Sequence, residues 1–149
     1  HGPIKNGYTR LAPPIGGAQS VKNLKAQRKH ANPIIMLTLQ PSERNWLNDY
    51  CGALRKHHAD KVLRVSVFGS KARGDADADS DLDILVLLRD GDWKFQTQIR
   101  RLGYRHDLAA HGEVLPSIMT YTRDVWDERK RHGNPFQLAV DKEAVTVYG

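Results

Sequence analysis

From Pro41 onward, apolar and polar positions recur in two distinct rhythms. Trp46, Leu47, Tyr50 and Leu54 return every three to four residues, the spacing that lines one face of a helix. Ser42 is a fair N-cap ahead of them, so a helix is predicted over 42–58. In "KVLRVSVF" the rhythm changes to two, with Val65 and Val67 alternating against Arg64 and Ser66, as in a half-buried strand. That strand stops at Gly69. After the small, charged stretch "SKARGDADADS" comes a second strand, "DLDILVLL"; the turn "RDGD" then opens a helix from about Asp92 to Ala110, with Trp93, Ile99 and Leu102 on its buried side. "GEVLPSIMTY" reads as a third strand, with Pro116 better suited to an edge or a bulge than to a sheet centre. Thr122 caps a further helix that ends at Gly133, with Pro135 beyond it, and "AVTVYG" closes the chain as a short strand. The alternation predicts an α/β (α+β) class: one small mixed β-sheet flanked by helices.

Composition changes this picture in one respect. The 149 residues carry 23 Lys and Arg against 17 Asp and Glu, a net charge of +6. Six of the basic residues (Lys5, Arg10, Lys22, Lys25, Arg28 and Lys29) lie in residues 1–35, which contain no acid, so the remainder is balanced at 17 against 17. A nucleic-acid reading of the high basicity therefore concerns the first segment alone. That segment is rich in Gly and Pro over residues 1–20, is expected to be weakly ordered, and has room for a short basic helix over 21–31. Met36 is a plausible natural start. No run approaches the ~18 apolar residues of a membrane span, so the chain is expected to be soluble and cytoplasmic, without membrane contact. Cys51 falls within the first helical pattern and is expected to be a small buried side chain. The seven histidines show no zinc spacing.

The passage that carries chemistry is "VSVFGSKARGDADADSDLDILVLL", residues 65–88. Asp81 and Asp83 stand two apart at the start of a strand, a spacing that puts both carboxylates on one face. Two such carboxylates repel unless a cation neutralises them, and a hard divalent ion suits oxygen ligands. A calcium loop does not fit: counted from Asp75, its sixth and twelfth places hold Ser80 and Val86, where Gly and Glu are required. Asp75, Asp77 and Asp79 read as a solvated acidic loop. Upstream, Gly69 lets backbone approach a ligand, Ser70 offers a hydroxyl, and Lys71 and Arg73 can offset phosphate charge.

Gly-Ser, a spacer, then Asp-x-Asp, present as "GSKARGDADADSDLD", resembles the signature of the DNA polymerase beta superfamily of nucleotidyltransferases in its minimal single-domain form. The resemblance covers roughly residues 42–149 and includes "HGNPF", typical of small bacterial members; it divides the chain into an extension, 1–35, and a nucleotidyltransferase domain, 36–149. It implies that a hydroxyl attacks the α-phosphate of a nucleoside triphosphate and that pyrophosphate leaves. Two Mg2+ ions, ~3.5–4 Å apart in sites of this kind, would be bound by Asp81 and Asp83. Gly69, Ser70, Lys71, Arg73 and Ser80 would hold the nucleotide. A third carboxylate is expected on a neighbouring strand: Glu113 is assigned as both metal ligand and catalytic residue, with Asp107 as the alternative.

Minimal nucleotidyltransferases resemble the antitoxins of two-gene modules paired with a helical HEPN toxin, in which AMP from ATP is attached to a toxin tyrosine. The partner expected on that basis is such a toxin, since the short chain leaves little room for a separate acceptor-holding domain. The alternatives are small-molecule transfer by a homodimer, neutralisation by binding with weak catalysis, and a nucleic-acid-binding module that uses the basic extension.

Overall fold

The computed structural model describes Ile34, residues 37–77, 79–109 and 112–149, with the side chains of 107–109 excepted. Apart from Ile34, the basic extension with its short helix lies outside the described residues, as do Met36 and the Asp107 side chain.

Helix α1 spans Pro41–His58. It starts one residue before the expected Ser42 because Pro41 suits a first helical position, and Glu43 reaches back to accept the Gln40 N–H at 2.8 Å. Its buried face is Trp46, Leu47, Tyr50, Cys51 and Leu54, as the spacing predicts. Burial pushes the Cys51 thiol up to about 11, as expected of a thiol in the core. Strand β1, Val62–Phe68, ends at Gly69, and the one-turn helix α2, Ser70–Arg73, follows. Strand β2 is Leu82–Leu88 and helix α3 is Trp93–Ala109, begun by Asp92, whose carboxylate accepts the Phe95 N–H at 2.9 Å. Two hydrogen bonds pin α1 to α3: Trp46 Nε1 donates to the Gly103 carbonyl at 2.9 Å, and Tyr50 OH to the Ile99 carbonyl at 2.8 Å.

Strand β3, Pro116–Thr122, begins four residues later than the sequence suggests, with proline at its first position on an edge strand, where a missing N–H costs least. Helix α4 is Arg123–Arg131. A further helix not expected from the sequence, α5, runs Pro135–Glu143, and β4, Val145–Tyr148, closes the sheet. Asn134 caps α5 by accepting the Phe136 N–H at 3.0 Å, and Pro135 supplies a preset first position. The sheet order is β3-β2-β1-β4; β1 is antiparallel to both β2 and β4, while β3 is parallel to β2. The predicted mixed α/β architecture is therefore the observed one.

Period-two alternation along β2 gives the sheet two apolar faces. Leu82, Ile84, Val86 and Leu88 pack with α1 and Ile99 of α3, joined by Ile34, Leu37 and Leu39 from the approach to α1. Leu85 and Leu87 pack on the other face with Phe68, Met119, Tyr121, Trp126 of α4, and Phe136 and Val140 of α5. Asp83 shares the second face. It interrupts an otherwise apolar strand at the end where β2, β3 and β4 begin and β1 stops.

Candidate active site

The β1–α2 junction is shaped by Gly69, whose φ of 72° and ψ of −155° lie in a region essentially confined to glycine. A Cβ at this position would overlap Asp83 Oδ2, so the bare backbone is what admits the carboxylate. Register supports the same placement: Asp83 lies level with Phe68 at the end of β1 and with Ser117 near the start of β3. Asp81 is exposed just ahead of β2, while Asp83 is half-buried. Burial raises the Asp83 carboxyl above its ordinary value; the charge of Asp81 raises it further, that of Arg73 opposes, and that of Glu143 adds. Those four charges are thus gathered at one strand mouth.

Arg73, the last residue of α2, bridges two carboxylates. Its Nη1 donates to Glu143 at 2.7 Å and its Nε to Asp75 at 3.3 Å, and these bonds raise its already high pKa. Glu143 arrives because β4 pairs Val145 with Val67, which sets the end of α5 beside the Gly69 turn. Ser70 opens α2, and in the first turn of any helix the amide is left unused by the helix itself. With four residues, α2 has little dipole to offer an anion, less than a full helix start would bring.

Three residues expected at this site are placed differently. Lys71 does not present its ammonium to a phosphate: its side chain is only 1% exposed and donates to Glu43 of α1 at 3.0 Å, because Lys71 lies on the face of α2 turned toward the core. Ser80 is engaged in the acidic loop, where its hydroxyl donates to Asp77 Oδ1 at 3.1 Å and accepts from the Asp77 N–H. Glu113 is exposed and precedes β3. The Leu82 N–H bonds the Leu115 carbonyl, so Leu115 is near the level of Asp81 and Glu113 lies two residues further out. The β3 residue level with Asp83 is Ser117, and among the described residues no three His, Cys, Asp or Glu side chains are gathered closely enough to hold a metal.

Beside Asp81, on the β3 side, opens a cleft of about 430 Å3 lined by Tyr104, Val114, Leu115, Pro116 and Ser117. Tyr104 and Leu115 are large and exposed on it. The acid pair therefore stands between this cleft and the Arg73–Glu143 bridge. The exposed Asp81 and the half-buried Asp83, whose carboxyl burial and the Asp81 charge raise, form a hard-oxygen donor set that fits a divalent cation.

Sequence reasoning missed Glu143 because it missed α5, although Asn134-Pro135 followed by Phe136 and Val140 is a capped amphipathic start. No helix among the described residues is long and apolar enough to cross a membrane. A family model described as "Nucleotidyltransferase domain" matches residues 47–145, from α1 to the first residue of β4. No curated protein matches the chain.

Proposed function

Because the chain belongs to the nucleotidyltransferase domain family of the polymerase beta superfamily, we propose that it is a magnesium-dependent enzyme that moves AMP from ATP to a tyrosine hydroxyl of a helical HEPN-type toxin, acting as that toxin's antitoxin in the cytoplasm. The observation that supports the nucleotide half of this reading is the packing of Asp83 against Gly69, a carboxylate that would suit a cation beside a bare backbone turn that would admit a phosphate closely.

Asp81 and Asp83 would hold magnesium, which when bound supplies charge neutralisation for the triphosphate and for the attacking and leaving oxygens. Gly69 lets the chain approach the β- and γ-phosphates closely, Ser70 offers its hydroxyl, and Arg73 faces the charge that grows on departing pyrophosphate. The acceptor oxygen forms a bond to the α-phosphorus, the bridge to the β-phosphate breaks with its electron pair on pyrophosphate, and the hydroxyl proton passes to solvent in the cleft beside Asp81. The exposed Tyr104 and Leu115 border that cleft and suit an acceptor carried on another molecule's surface.

Ser117 favours a second reading, a nucleotide-binding antitoxin of weak catalysis, because the strand neighbouring Asp83 offers a hydroxyl where a proton-accepting carboxylate would serve.

ATP labelled in the α-phosphate, magnesium and the protein encoded by the neighbouring gene test the first reading. Label is expected on that partner and is expected to vanish when its acceptor tyrosine is changed to phenylalanine. Absence of label with the intact partner, while the two proteins still bind, would move the account to the second reading.

A further inference from the structure

The bridge between Arg73 and Glu143 joins residues 70 apart in the chain at the rim of the acid pair. Half-exposed ion pairs add little to stability, and Arg73 is 49% exposed. Its geometry is more informative. Glu143 takes Nη1 and Asp75 takes Nε, which leaves Nη2 with no protein partner among the described residues. A guanidinium is a planar fork, so two fixed edges set the direction of the third. Glu143 is the better anchored of the two carboxylates: it is 22% exposed at the end of α5, whereas Asp75 is 63% exposed in the loop.

We propose that Glu143 is a positioning residue, which holds Arg73 so that its free nitrogen meets the β- and γ-phosphates of the bound triphosphate. The inference rests on the phosphate site described above. It carries a sign that a simple charge effect does not share. Glu143 is negative and close to an anion site, so its removal would by Coulomb's law alone tighten anion binding. Loss of an anchor for Arg73 weakens it instead.

Calorimetric titration of the full chain with magnesium tripolyphosphate reads this without any turnover. Glu143→Ala is expected to weaken binding about three- to tenfold, a part of what a charged hydrogen bond contributes. Glu143→Asp, which keeps the charge but shortens the reach, is expected to behave like Glu143→Ala. Glu143→Gln keeps an acceptor oxygen in place and is expected to bind as well as the parent protein or better. In an Arg73→Ala background, Glu143→Ala is expected to leave binding unchanged or to tighten it, since nothing remains to be positioned and only a repelling charge is removed. Unchanged or tighter binding in Glu143→Ala would overturn the inference, as would a weakening that persists without Arg73. Failure of the parent protein to bind would overturn the phosphate site and this inference together; parent binding that Glu143→Ala leaves intact overturns this inference alone. A thermal midpoint for each variant separates misfolding from a lost anchor, and Glu143→Asp, whose expected weakening no loss of charge can produce, keeps the comparison decisive if the alanine variant is unstable.

Discussion

The carboxylate of Asp83 occupies the volume in which a Cβ on Gly69 would stand. One residue directly follows β1 and the other is the second of β2, and the backbone of the first is folded into a conformation that only glycine holds without strain. Gly69→Ala is therefore expected to cost stability twice, through a strained φ worth ~1–3 kcal/mol and through displacement of Asp83. Urea denaturation reads the first effect. For the second, magnesium is expected to raise the melting point of the parent protein and to leave that of Gly69→Ala unchanged.

Asp83 itself should behave as a site residue held at a cost. Its carboxyl is raised by burial first and by Asp81 second, so the fold favours the protonated form. The associated stability is fully present below the unfolded-state value, roughly 3.9, and is lost as pH rises through the raised folded value. Asp83→Asn is accordingly expected to melt higher than the parent at pH 7, and the difference is expected to shrink toward zero near the unfolded-state value. Magnesium should narrow the gap at pH 7 by stabilising the parent alone. A lower melting point for Asp83→Asn at pH 7 would count against this electrostatic picture.

Lys71 should act on stability. Its ammonium is buried against Glu43, and removal of one member of a buried pair strands the other at a cost of ~3–5 kcal/mol. Lys71→Ala is expected to unfold at markedly lower urea concentration. Replacing both partners, as Lys71→Met with Glu43→Leu, should recover most of the loss and leave tripolyphosphate binding near the parent level. Loss of that binding in a stable double variant would return Lys71 to the phosphates.

The third carboxylate supplies another test. Glu113 lies outward of Asp81 in the register, while Ser117 is level with Asp83. Glu113→Gln is expected to change the transfer rate less than about threefold, whereas Ser117→Asp, which adds a base where the hydroxyl now stands, is expected to raise it about tenfold or more. Steady-state rates at fixed magnesium decide between them.

Much of this was legible in the sequence. The three-to-four spacing of Trp46, Tyr50 and Leu54 and the alternation in "VLRVSVF" report burial directly, so α1, β1 and β2 fall where their patterns place them. Gly69, Ser70, Asp81 and Asp83 stand out in the sequence because a glycine at a strand end lets backbone approach a ligand and paired acids in an apolar strand repel unless a cation neutralises them. The placement of Lys71 against Glu43 and of Glu113 outward of Asp81 is not legible in the sequence for one reason: side-chain direction depends on which face of a short helix, or which register of a strand, meets the core, and neither is encoded locally. Glu143 is not legible in the sequence because Pro135 reads as a terminator of α4, although it also begins α5.

The central claim, nucleotidyl transfer at the Asp81–Asp83 mouth, is tested most directly by following which phosphate of ATP becomes attached to protein. With magnesium and the neighbouring gene's product, label from the α-position is expected to become covalently bound, label from the γ-position is not, and pyrophosphate is expected to form in equal amount. The double variant Asp81→Asn, Asp83→Asn should abolish both. Transfer of γ-label, or α-label that persists undiminished in that variant, would contradict the account.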